Sequence, residues 1–318
     1  MRYIDKDEVA SALDYESLIE RLRKAFQSHF TVPKRHHHDY KNPAEGNEST
    51  LLLMPAWEEG KDLGVKIVTV SPNNGKYNLP SIQGIYLLLD AHKGIPIALL
   101  EAKTLTTKRT AAASALASDY LSRKDSKTLL MVGTGALAPE LIRAHTCVRP
   151  IKKVMIWGRS FEKAEALADS MSNEGISSMA VKELEETVGQ ADIISCATIS
   201  KEPLILGKWL RNGQHLDLVG AYRPDMREAD DEAITKSKVF VDTHGGAPRE
   251  GGDIFIPLSE GVISQDDILA DLFELSKGGK KGRTSESEIT FFKSVGHALE
   301  DLAAAQLVKE KILQSITN

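Results

Sequence analysis

The stretch Thr128-Leu-Leu-Met-Val-Gly-Thr-Gly-Ala-Leu-Ala138 decides the fold of this chain. A short apolar run ends in Gly133-Thr-Gly135, Ala138 occupies the third small position, and a helical pattern follows at once. A strand, a glycine turn and a helix in this order are typical of folds in which the backbone approaches a dinucleotide pyrophosphate at a helix N-terminus. The alternative is a glycine turn without a ligand. We favour the dinucleotide site because both flanking elements are present.

The next strand, Val154-Met-Ile-Trp157, indicates which dinucleotide binds. An NAD site normally carries an acidic residue near the end of this strand, where it holds the ribose 2′-hydroxyl. Here the strand is followed by Gly158-Arg159-Ser160, with Lys163 one helical turn further on. A guanidinium group and a hydroxyl bind a 2′-phosphate, which a carboxylate would repel. We therefore expect NADP(H) in preference to NAD(H); a solvated Arg159 without a ligand is the alternative.

Other residues are expected around the same cofactor. Thr198 follows the fourth strand of the predicted sheet, near the expected nicotinamide ribose, although an ordinary turn hydroxyl is an equal interpretation. Val219 and Gly220 would border the nicotinamide ring, and Lys293 would close the site. The full set of expected cofactor contacts is Thr110, Gly133, Thr134, Gly135, Ala136, Leu137, Arg159, Ser160, Lys163, Thr198, Val219, Gly220 and Lys293.

The composition is that of an ordinary globular protein. The 318 residues suffice for two domains or one large one, and the apolar content of 42% and charged content of 27% are typical values. A net charge of −5 gives no electrostatic reason to expect nucleic acid or an anionic membrane as a partner. No signal peptide or bilayer-spanning run is expected. Cys147 and Cys196 lack metal-ligand spacing, which predicts two small core residues in a reducing cytoplasm and no bound metal.

Strand-like and helix-like segments alternate from about residue 126 to 242, which predicts an α/β fold with a doubly wound parallel sheet. One helix is expected at Phe161–Asn173. The strands are expected at Leu129–Val132, Val154–Trp157, Ser178–Val181, Asp192–Cys196, Leu216–Val219 and Val239–Val241.

The first hundred residues follow a different pattern. A helical start at Asp7–Phe30 precedes several short β-prone runs separated by turn residues, which predicts an antiparallel sheet or a barrel-like unit. A final helical segment is expected at Phe291–Ile312. The four glycines of His244–Gly252 suggest mobility or close approach to a ligand, but a plain solvent loop is favoured. The β-prone runs are Thr50–Met54, Leu63–Val70, Gly84–Asp90 and Pro96–Glu101.

Lys66 lies in the run Gly64-Val-Lys-Ile-Val-Thr-Val70, in which both faces of the strand are apolar. A buried, unpaired ammonium group would be costly, so Lys66 is expected to have an anionic partner. A substrate carboxylate is one interpretation. A lysine at an exposed edge, or one paired with an internal aspartate, is the other, and the pattern alone does not choose between them.

Arg109 belongs to the alanine-rich run Thr106-Thr-Lys-Arg-Thr-Ala-Ala-Ala-Ser-Ala115. If Thr106 or Thr107 caps this helix, Lys108 and Arg109 occupy its first turn, where the helix dipole disfavours cations. Two cations there predict a bound anion, either a substrate carboxylate or a cofactor phosphate. The alternative is that both side chains point into water, at a cost of about 0.3 kcal/mol.

Arg35 stands in Val32-Pro-Lys-Arg-His-His-His38. The three histidines suggest a metal site, but consecutive residues on a strand alternate between faces and cannot converge on one ion. We therefore expect a polar strand or loop without a metal, in which Arg35 is the residue of interest.

These motifs together resemble the ornithine cyclodeaminase/mu-crystallin family over nearly the whole chain. The resemblance is densest at Leu105–Ala115, Val132–Gly135, Ile156–Arg159, Val219–Glu228 and Phe292–Gly296. It implies a homodimer, with a substrate and dimerisation domain at residues 1–112 and 296–318 and a Rossmann domain at residues 113–295. It also implies that Arg35, Lys66 and Arg109 hold a substrate carboxylate beside the nicotinamide, which gives Lys66 and Arg109 catalytic roles.

One position separates the activities of this family. Cyclodeaminases and alanine dehydrogenases carry an aspartate third in the Gly-Gly-Asp or Gly-Ala-Asp motif after the fifth Rossmann strand, where this chain has Gly220-Ala-Tyr222. Ketimine reductases and Δ1-pyrroline-2-carboxylate reductases also lack that aspartate, and Asp225 follows at a different turn position. The resemblance therefore implies NAD(P)H-dependent reduction of Δ1-pyrroline-2-carboxylate, or of its six-membered piperideine analogue, to L-proline or L-pipecolate. Ornithine cyclodeamination, an alanine dehydrogenase-type reaction and a non-catalytic, crystallin-like NADPH-binding protein are the alternatives.

Overall fold

The computed structural model describes residues 1–42 and 46–313, and the chain divides into two compact units. Unit 1 comprises Met1–Arg109 and Ala298–Asn318, and unit 2 comprises Thr110–His297. No helix in the described part of the chain is both long and apolar enough to cross a bilayer.

The strands of unit 1 are β1 (Arg2–Ile4), β2 (His36–Asn42), β3 (Asn47–Glu58), β4 (Asp62–Val70), β5 (Ile82–Asp90) and β6 (Pro96–Glu101). The strands of unit 2 are β7 (Thr128–Val132), β8 (Lys153–Trp157), β9 (Ser178–Ala180), β10 (Ile193–Cys196), β11 (His215–Leu218), β12 (Lys238–Val241), β13 (Ile268–Asp271) and β14 (Thr290–Lys293).

The helices are α1 (Lys6–Ala12), α2 (Tyr15–Gln27), α3 (Ala102–Leu121), α4 (Ala138–Val148), α5 (Phe161–Asn173), α6 (Leu184–Val188), α7 (Asp231–Thr235), α8 (Ala247–Glu250), α9 (Gly252–Ser259), α10 (Leu272–Ser276) and α11 (Ala298–Val308). A π-helical turn, Lys309–Leu313, follows α11.

Unit 1 contains an open sheet with the order β1-β6-β5-β4-β3-β2. Its pairs are antiparallel except that β1 runs parallel to β6. Helix α11 packs against β3, β4, β5 and α2, and every residue of α11 is buried. Of the two expected arrangements, the described residues therefore form a sheet with two edges and not a barrel.

Unit 2 contains an eight-stranded parallel sheet with the order β13-β12-β14-β11-β10-β7-β8-β9. Counted from β7, the part β9-β8-β7-β10-β11 has the order 3-2-1-4-5 of a Rossmann fold. The expected doubly wound sheet is confirmed, and helix α5 has the predicted bounds. Because all strands run in one direction, the segments after β7, β10, β11 and β14 emerge at the same edge.

The predicted helix Phe291–Ile312 is wrong over its first residues. Thr290–Lys293 form β14, which lies between β11 and β12, and the helix begins only at Ala298. Phe291 and Phe292 are buried on a central strand with both faces covered. A short apolar run of that kind cannot be told from a buried helix by its periodicity.

The predicted start of helix α3 is also wrong. The helix begins at Ala102, where the Glu101 carboxylate accepts hydrogen bonds from the backbone N–H groups of Lys103 (2.9 Å) and Thr104 (2.8 Å). Arg109 therefore lies about two turns inside the helix, beyond the range of the terminal dipole effect. The expectation of an anion at this N-terminus loses its basis.

Two smaller expectations also need correction. Cys196 is buried as expected, but Cys147 is exposed. The segment His244–Gly252 is not a solvent loop throughout, because it contains α8 and both Gly251 and Gly252 are buried. A Cβ atom on Gly252 would lie 1.8 Å from the carbonyl oxygen of Met226, so only glycine allows this backbone contact.

Candidate active site

Two groups of functional residues can be described, one in each unit. In unit 1, Lys66 is 3% exposed on β4, which lies between β3 and β5. Its Nζ atom lies 2.9 Å from Oδ1 and 2.8 Å from Oδ2 of Asp301 on α11. The sequence left open whether Lys66 pairs with a substrate carboxylate or an internal aspartate, or lies at an exposed edge. In the structure its partner is an internal aspartate, Asp301.

Arg109 joins the same group from helix α3. Its Nε donates to Oδ1 of Asp301 at 2.9 Å, and its Nη1 donates to Oε2 of Glu300 at 2.6 Å. Arg109 is 4% exposed, and both carboxylates are buried. Burial acts to lower the pKa of Arg109, but Asp301 and Glu300 raise it above the ordinary value, so the guanidinium stays charged.

Arg35 precedes β2 and is half-buried, and its charge acts on Lys66 and Asp301. Burial, Arg109 and Arg35 lower the pKa of Lys66 to about 8, and Asp301 opposes them. Burial acts to raise the pKa of Asp301, but Arg109, Lys66 and Arg35 lower it below the ordinary value. Arg35, Lys66 and Arg109 therefore all act on the buried carboxylate of Asp301.

Tyr86 on β5 lies directly opposite Lys66 in the sheet register. Its side chain is fully buried, and a Cβ on Gly64 would lie 1.9 Å from its hydroxyl oxygen. That hydroxyl has no hydrogen-bond partner among the described residues. Burial and the charges of Asp301 and Asp62 raise its pKa well above the ordinary value. Tyr86 is therefore a neutral group beside the cations.

In unit 2, the turn after β7 fits a dinucleotide. Gly133 has φ +118°, and a Cβ there would lie 2.7 Å from the carbonyl oxygen of Ala197. Gly135 and Ala136 are exposed, Thr134 and Leu137 are half-buried, and helix α4 follows. The exposed backbone ahead of a helix N-terminus leaves room for a phosphate.

The segment after β8 places charges of both signs at the expected 2′-position. Arg159 and Lys163 are exposed. Ser160 caps helix α5: its Oγ accepts from the Lys163 N–H at 3.3 Å and donates to the Glu162 carboxylate at 2.8 Å. The Ser160 hydroxyl proton is therefore donated to Glu162. The carboxylate of Glu162 at this position was not predicted from the sequence.

Thr198 and Gly220 follow β10 and β11 and lie against each other. A Cβ on Gly220 would lie 2.0 Å from the carbonyl oxygen of Thr198. The fully buried Glu228 contacts both segments, because its carboxylate accepts from the Thr198 and Gly220 backbone N–H groups at 2.7 and 2.8 Å. Val219 is 6% exposed beside Gly220.

Lys293, at the end of β14, is fully buried. Its Nζ lies 3.0 Å from Oδ2 of Asp253 on α9, and Asp253 in turn accepts from the backbone N–H groups of Glu228 and Ala229. Lys293 thus takes part in a buried charged network at this edge of the sheet. Thr110 is half-buried on α3. Direct contact of either residue with a cofactor stays a prediction.

Tyr222 is exposed in the segment after β11. Asp225 is exposed as well and forms ion pairs with Lys201 and Arg223, at 3.0 and 2.9 Å.

Sequence reasoning missed four buried acidic residues: Glu228, Asp253, Glu300 and Asp301. A signal existed for two of them, because Glu300 and Asp301 are the charged residues of a helix that is otherwise apolar except for Gln306. Acidic residues are seldom buried without a partner, so their presence there could have pointed to Lys66 and Arg109.

A Rossmann unit with an open glycine turn, accompanied by a buried cationic group, defines an NAD(P)-dependent oxidoreductase. The chain belongs to the ornithine cyclodeaminase/mu-crystallin family, whose sequence profile matches residues 4–315. The predicted resemblance is thereby confirmed.

Three known proteins illustrate the similarity. The Δ1-pyrroline-2-carboxylate reductase of Colwellia psychrerythraea is 38% identical over 98% of this chain and 99% of its own length. The structure of the Thermococcus litoralis Δ1-pyrroline-2-carboxylate reductase in complex with NADH and L-proline has a TM-score of 0.92 and 37% identity, covering 99% of this chain and 98% of the other. An archaeal alanine dehydrogenase dimer with bound NAD has a TM-score of 0.90 and 29% identity, with 98% and 96% coverage.

Proposed function

We propose that this protein reduces Δ1-pyrroline-2-carboxylate to L-proline with a nicotinamide coenzyme, and that it also accepts the six-membered piperideine analogue. The observation that carries the proposal is the pair of buried cations in unit 1: Lys66 and Arg109 share the carboxylate of Asp301. The charge of the half-buried Arg35 acts on the same group, and cationic side chains of this kind suit a substrate that carries a carboxylate. The two similar proteins named Δ1-pyrroline-2-carboxylate reductases support the choice of a cyclic imino acid.

In this reaction the residues of unit 1 bind and orient the substrate carboxylate. Arg109 stays charged beside Asp301 and Glu300, and Lys66 supplies an ammonium group whose pKa of about 8 leaves it mostly protonated at neutral pH. A bound nicotinamide coenzyme supplies the hydride to the imine carbon. The imine nitrogen takes one proton, from solvent, an ordered water or Lys66, and orientation of the carboxylate lowers the barrier by several kcal/mol.

The exposed Tyr222 favours a reductase over a cyclodeaminase. A cyclodeaminase needs a carboxylate to handle the substrate amine, and the nearest acidic residue in this segment, Asp225, is engaged with Lys201 and Arg223. A protonated iminium substrate needs no further strong acid at the moment of hydride transfer. The absence of an acidic side chain at position 222 therefore suits the reduction of a preformed imine.

The proposal is tested by following oxidation of NADPH and NADH at 340 nm with Δ1-pyrroline-2-carboxylate and Δ1-piperideine-2-carboxylate. We expect imine-dependent oxidation and L-proline or L-pipecolate as product. Ornithine with catalytic NAD would instead release ammonia from a cyclodeaminase, and L-alanine would reduce NAD(P) with an alanine dehydrogenase. Coenzyme binding without turnover of any of these substrates would indicate a binding protein and overturn the proposal.

We propose NADPH as the preferred coenzyme, with NADH also accepted. Arg159 and Lys163 support the preference because their charges attract a 2′-phosphate, whereas Glu162 opposes it. We further propose a homodimer and a cytoplasmic location. We also propose a substrate and dimerisation domain at 1–112 and 296–318 and a cofactor domain at 113–295. The archaeal relative described as a dimer supports the assembly.

A further inference from the structure

Glu228 joins two segments of unit 2 through four hydrogen bonds. Its Oε1 accepts from the backbone N–H of Thr198 at 2.7 Å and from the Thr198 hydroxyl at 2.8 Å. Its Oε2 accepts from the backbone N–H groups of Gly220 and Ala221 at 2.8 and 3.2 Å. The side chain is fully buried, so a single carboxylate fixes the segment after β10 against the segment after β11.

These segments lie at the carboxyl ends of β10 and β11. In open α/β sheets, ligands bind outside the carboxyl ends of the strands. Gly133, in the turn expected to hold the pyrophosphate, lies against the same segment, because a Cβ there would lie 2.7 Å from the carbonyl oxygen of Ala197. Glu228 therefore fixes the position of the backbone next to the expected coenzyme, while its own side chain stays buried.

The hydrogen bonds also fix the direction of the Thr198 hydroxyl. Three of the four groups that contact Glu228 are backbone N–H groups, which can only donate. An ionised Glu228 accepts all four hydrogen bonds, so the single proton of the Thr198 hydroxyl is committed to it. The Thr198 oxygen also accepts from the backbone N–H of Ser200 at 3.4 Å, and toward a ligand it can then only accept one further hydrogen bond.

We propose that Glu228 is a positioning residue for coenzyme binding, which fixes Thr198, Gly220 and Ala221 and makes the Thr198 hydroxyl an acceptor for a ribose hydroxyl or carboxamide N–H of a nicotinamide nucleotide. The inference rests on the proposed function only in that such a coenzyme binds to unit 2. It assigns Glu228 no contact with the reacting atoms.

The charged and titratable groups around Glu228 come from three elements: Lys293 on β14, Asp253 on α9 and Cys196 on β10. Burial raises the pKa of Glu228 to about 7; Lys293 opposes this shift and Asp253 adds to it. A protonated Glu228 could donate its proton only to the Thr198 oxygen, because its other partners are N–H groups. The Thr198 hydroxyl would then reverse and become a donor, so coenzyme affinity is expected to weaken as the pH falls through about 7.

The first test measures the NADH dissociation constant by fluorescence, without an imine substrate. In Glu228→Gln, the side-chain amide places N–H groups where backbone N–H groups need an acceptor, so the dissociation constant should rise about 10-fold or more. The control is Glu232→Gln, the same chemical change at an exposed position on α7, which should bind NADH as the wild type does. In the wild type the NADH dissociation constant should rise as the pH falls through about 7. In Glu228→Gln this rise should disappear.

The second test uses Thr198→Val, which replaces the hydroxyl by a methyl group. If Glu228 acts through Thr198, Glu228→Gln should weaken NADH binding less in the Thr198→Val background than in the wild type. Thr198→Val should also lose the change around pH 7, and this measurement decides the matter if Glu228→Gln does not fold. Unchanged NADH binding in a folded Glu228→Gln, or a pH dependence that persists in Thr198→Val, would overturn the proposal. Because no imine is present, a wild type that binds NADH but reduces no imine refutes the proposed function alone.

Discussion

The ammonium group of Lys66 lies within 2.9 Å of both carboxylate oxygens of Asp301, a residue 235 positions later in the chain. Arg109 donates to the same carboxylate, so one buried anion holds two cations that would otherwise repel each other. Asp301 is fully buried, and its charge is what allows Lys66 and Arg109 to remain inside unit 1. The pair thus links the stability of unit 1 to the proposed binding of a substrate carboxylate.

Replacement of Asp301 by Asn should destabilise the protein by about 3 kcal/mol, because it removes the charge of Asp301 from two buried cations, of which Arg109 keeps Glu300. The free energy of unfolding can be measured by urea denaturation at pH 7. The double variant Lys66→Met/Asp301→Asn should recover part of that loss, since it removes one of the stranded charges. Equal losses in the single and double variants would contradict the coupling of Lys66 to Asp301.

Replacement of Lys66 by Met should raise the KM for the cyclic imine about 10-fold or more, because the substrate carboxylate loses a charged hydrogen-bond donor. The NADH dissociation constant should not change. Lys61→Met is the matched control, since Lys61 is an exposed lysine in the turn between β3 and β4, where it pairs with Glu58. A Lys66→Met enzyme with wild-type KM for the imine would show that Lys66 is a structural residue only.

The Rossmann unit was predictable because its signals are local. The glycine turn at Gly133 and the alternation of strands and helices are properties of neighbouring residues, and six strands were found within two residues of their observed limits. The strand at Thr290–Lys293 was not predictable in this way, because it is buried on both faces between β11 and β12. Its apolar pattern has no periodicity that would distinguish a strand from a helix.

The partners of the candidate site could not be predicted, because they depend on contacts between distant residues. Periodicity indicated that Lys66 is buried and needs an anion, but the choice between a substrate and an internal aspartate required the position of α11. Likewise, Glu228 reaches Thr198 across 30 residues of sequence. Local sequence patterns thus identified charged residues in apolar surroundings. Their partners are set by the three-dimensional fold.

The coenzyme preference can be tested at two exposed positions of opposite charge. Arg159→Ala should lower kcat/KM for NADPH about 10-fold or more and leave that for NADH unchanged, because only NADPH carries the 2′-phosphate. Glu162→Gln should raise kcat/KM for NADPH, because it removes a carboxylate beside Ser160. Steady-state kinetics with each coenzyme at saturating imine give both values. If Arg159→Ala lowers kcat/KM equally for NADPH and NADH, Arg159 does not bind the 2′-phosphate.

The acid stability of unit 2 should depend on His215. This residue is fully buried on β11, its Nδ1 lies 2.9 Å from the hydroxyl of Thr290, and burial lowers its pKa from 6.5 to about 3. Between pH 6.5 and about 3, the unfolded chain therefore has a protonated histidine at this position, whereas the folded chain does not. This contribution to stability is complete above pH 6.5 and is lost as the pH falls toward 3, by up to about 1.4 kcal/mol per pH unit.

Glu228 has the opposite effect in an overlapping range, because its raised pKa of about 7 makes the folded chain bind the extra proton between about 4.5 and 7. The test is therefore a difference between variants: urea denaturation at pH 6.5, 5.75 and 5 of the wild type, His215→Gln and the exposed control His92→Gln. Glutamine cannot take up a proton, so His215→Gln should lose stability less steeply with falling pH than the wild type, and His92→Gln should follow the wild type. If all three proteins show the same slope, His215 is not the buried histidine that limits acid stability.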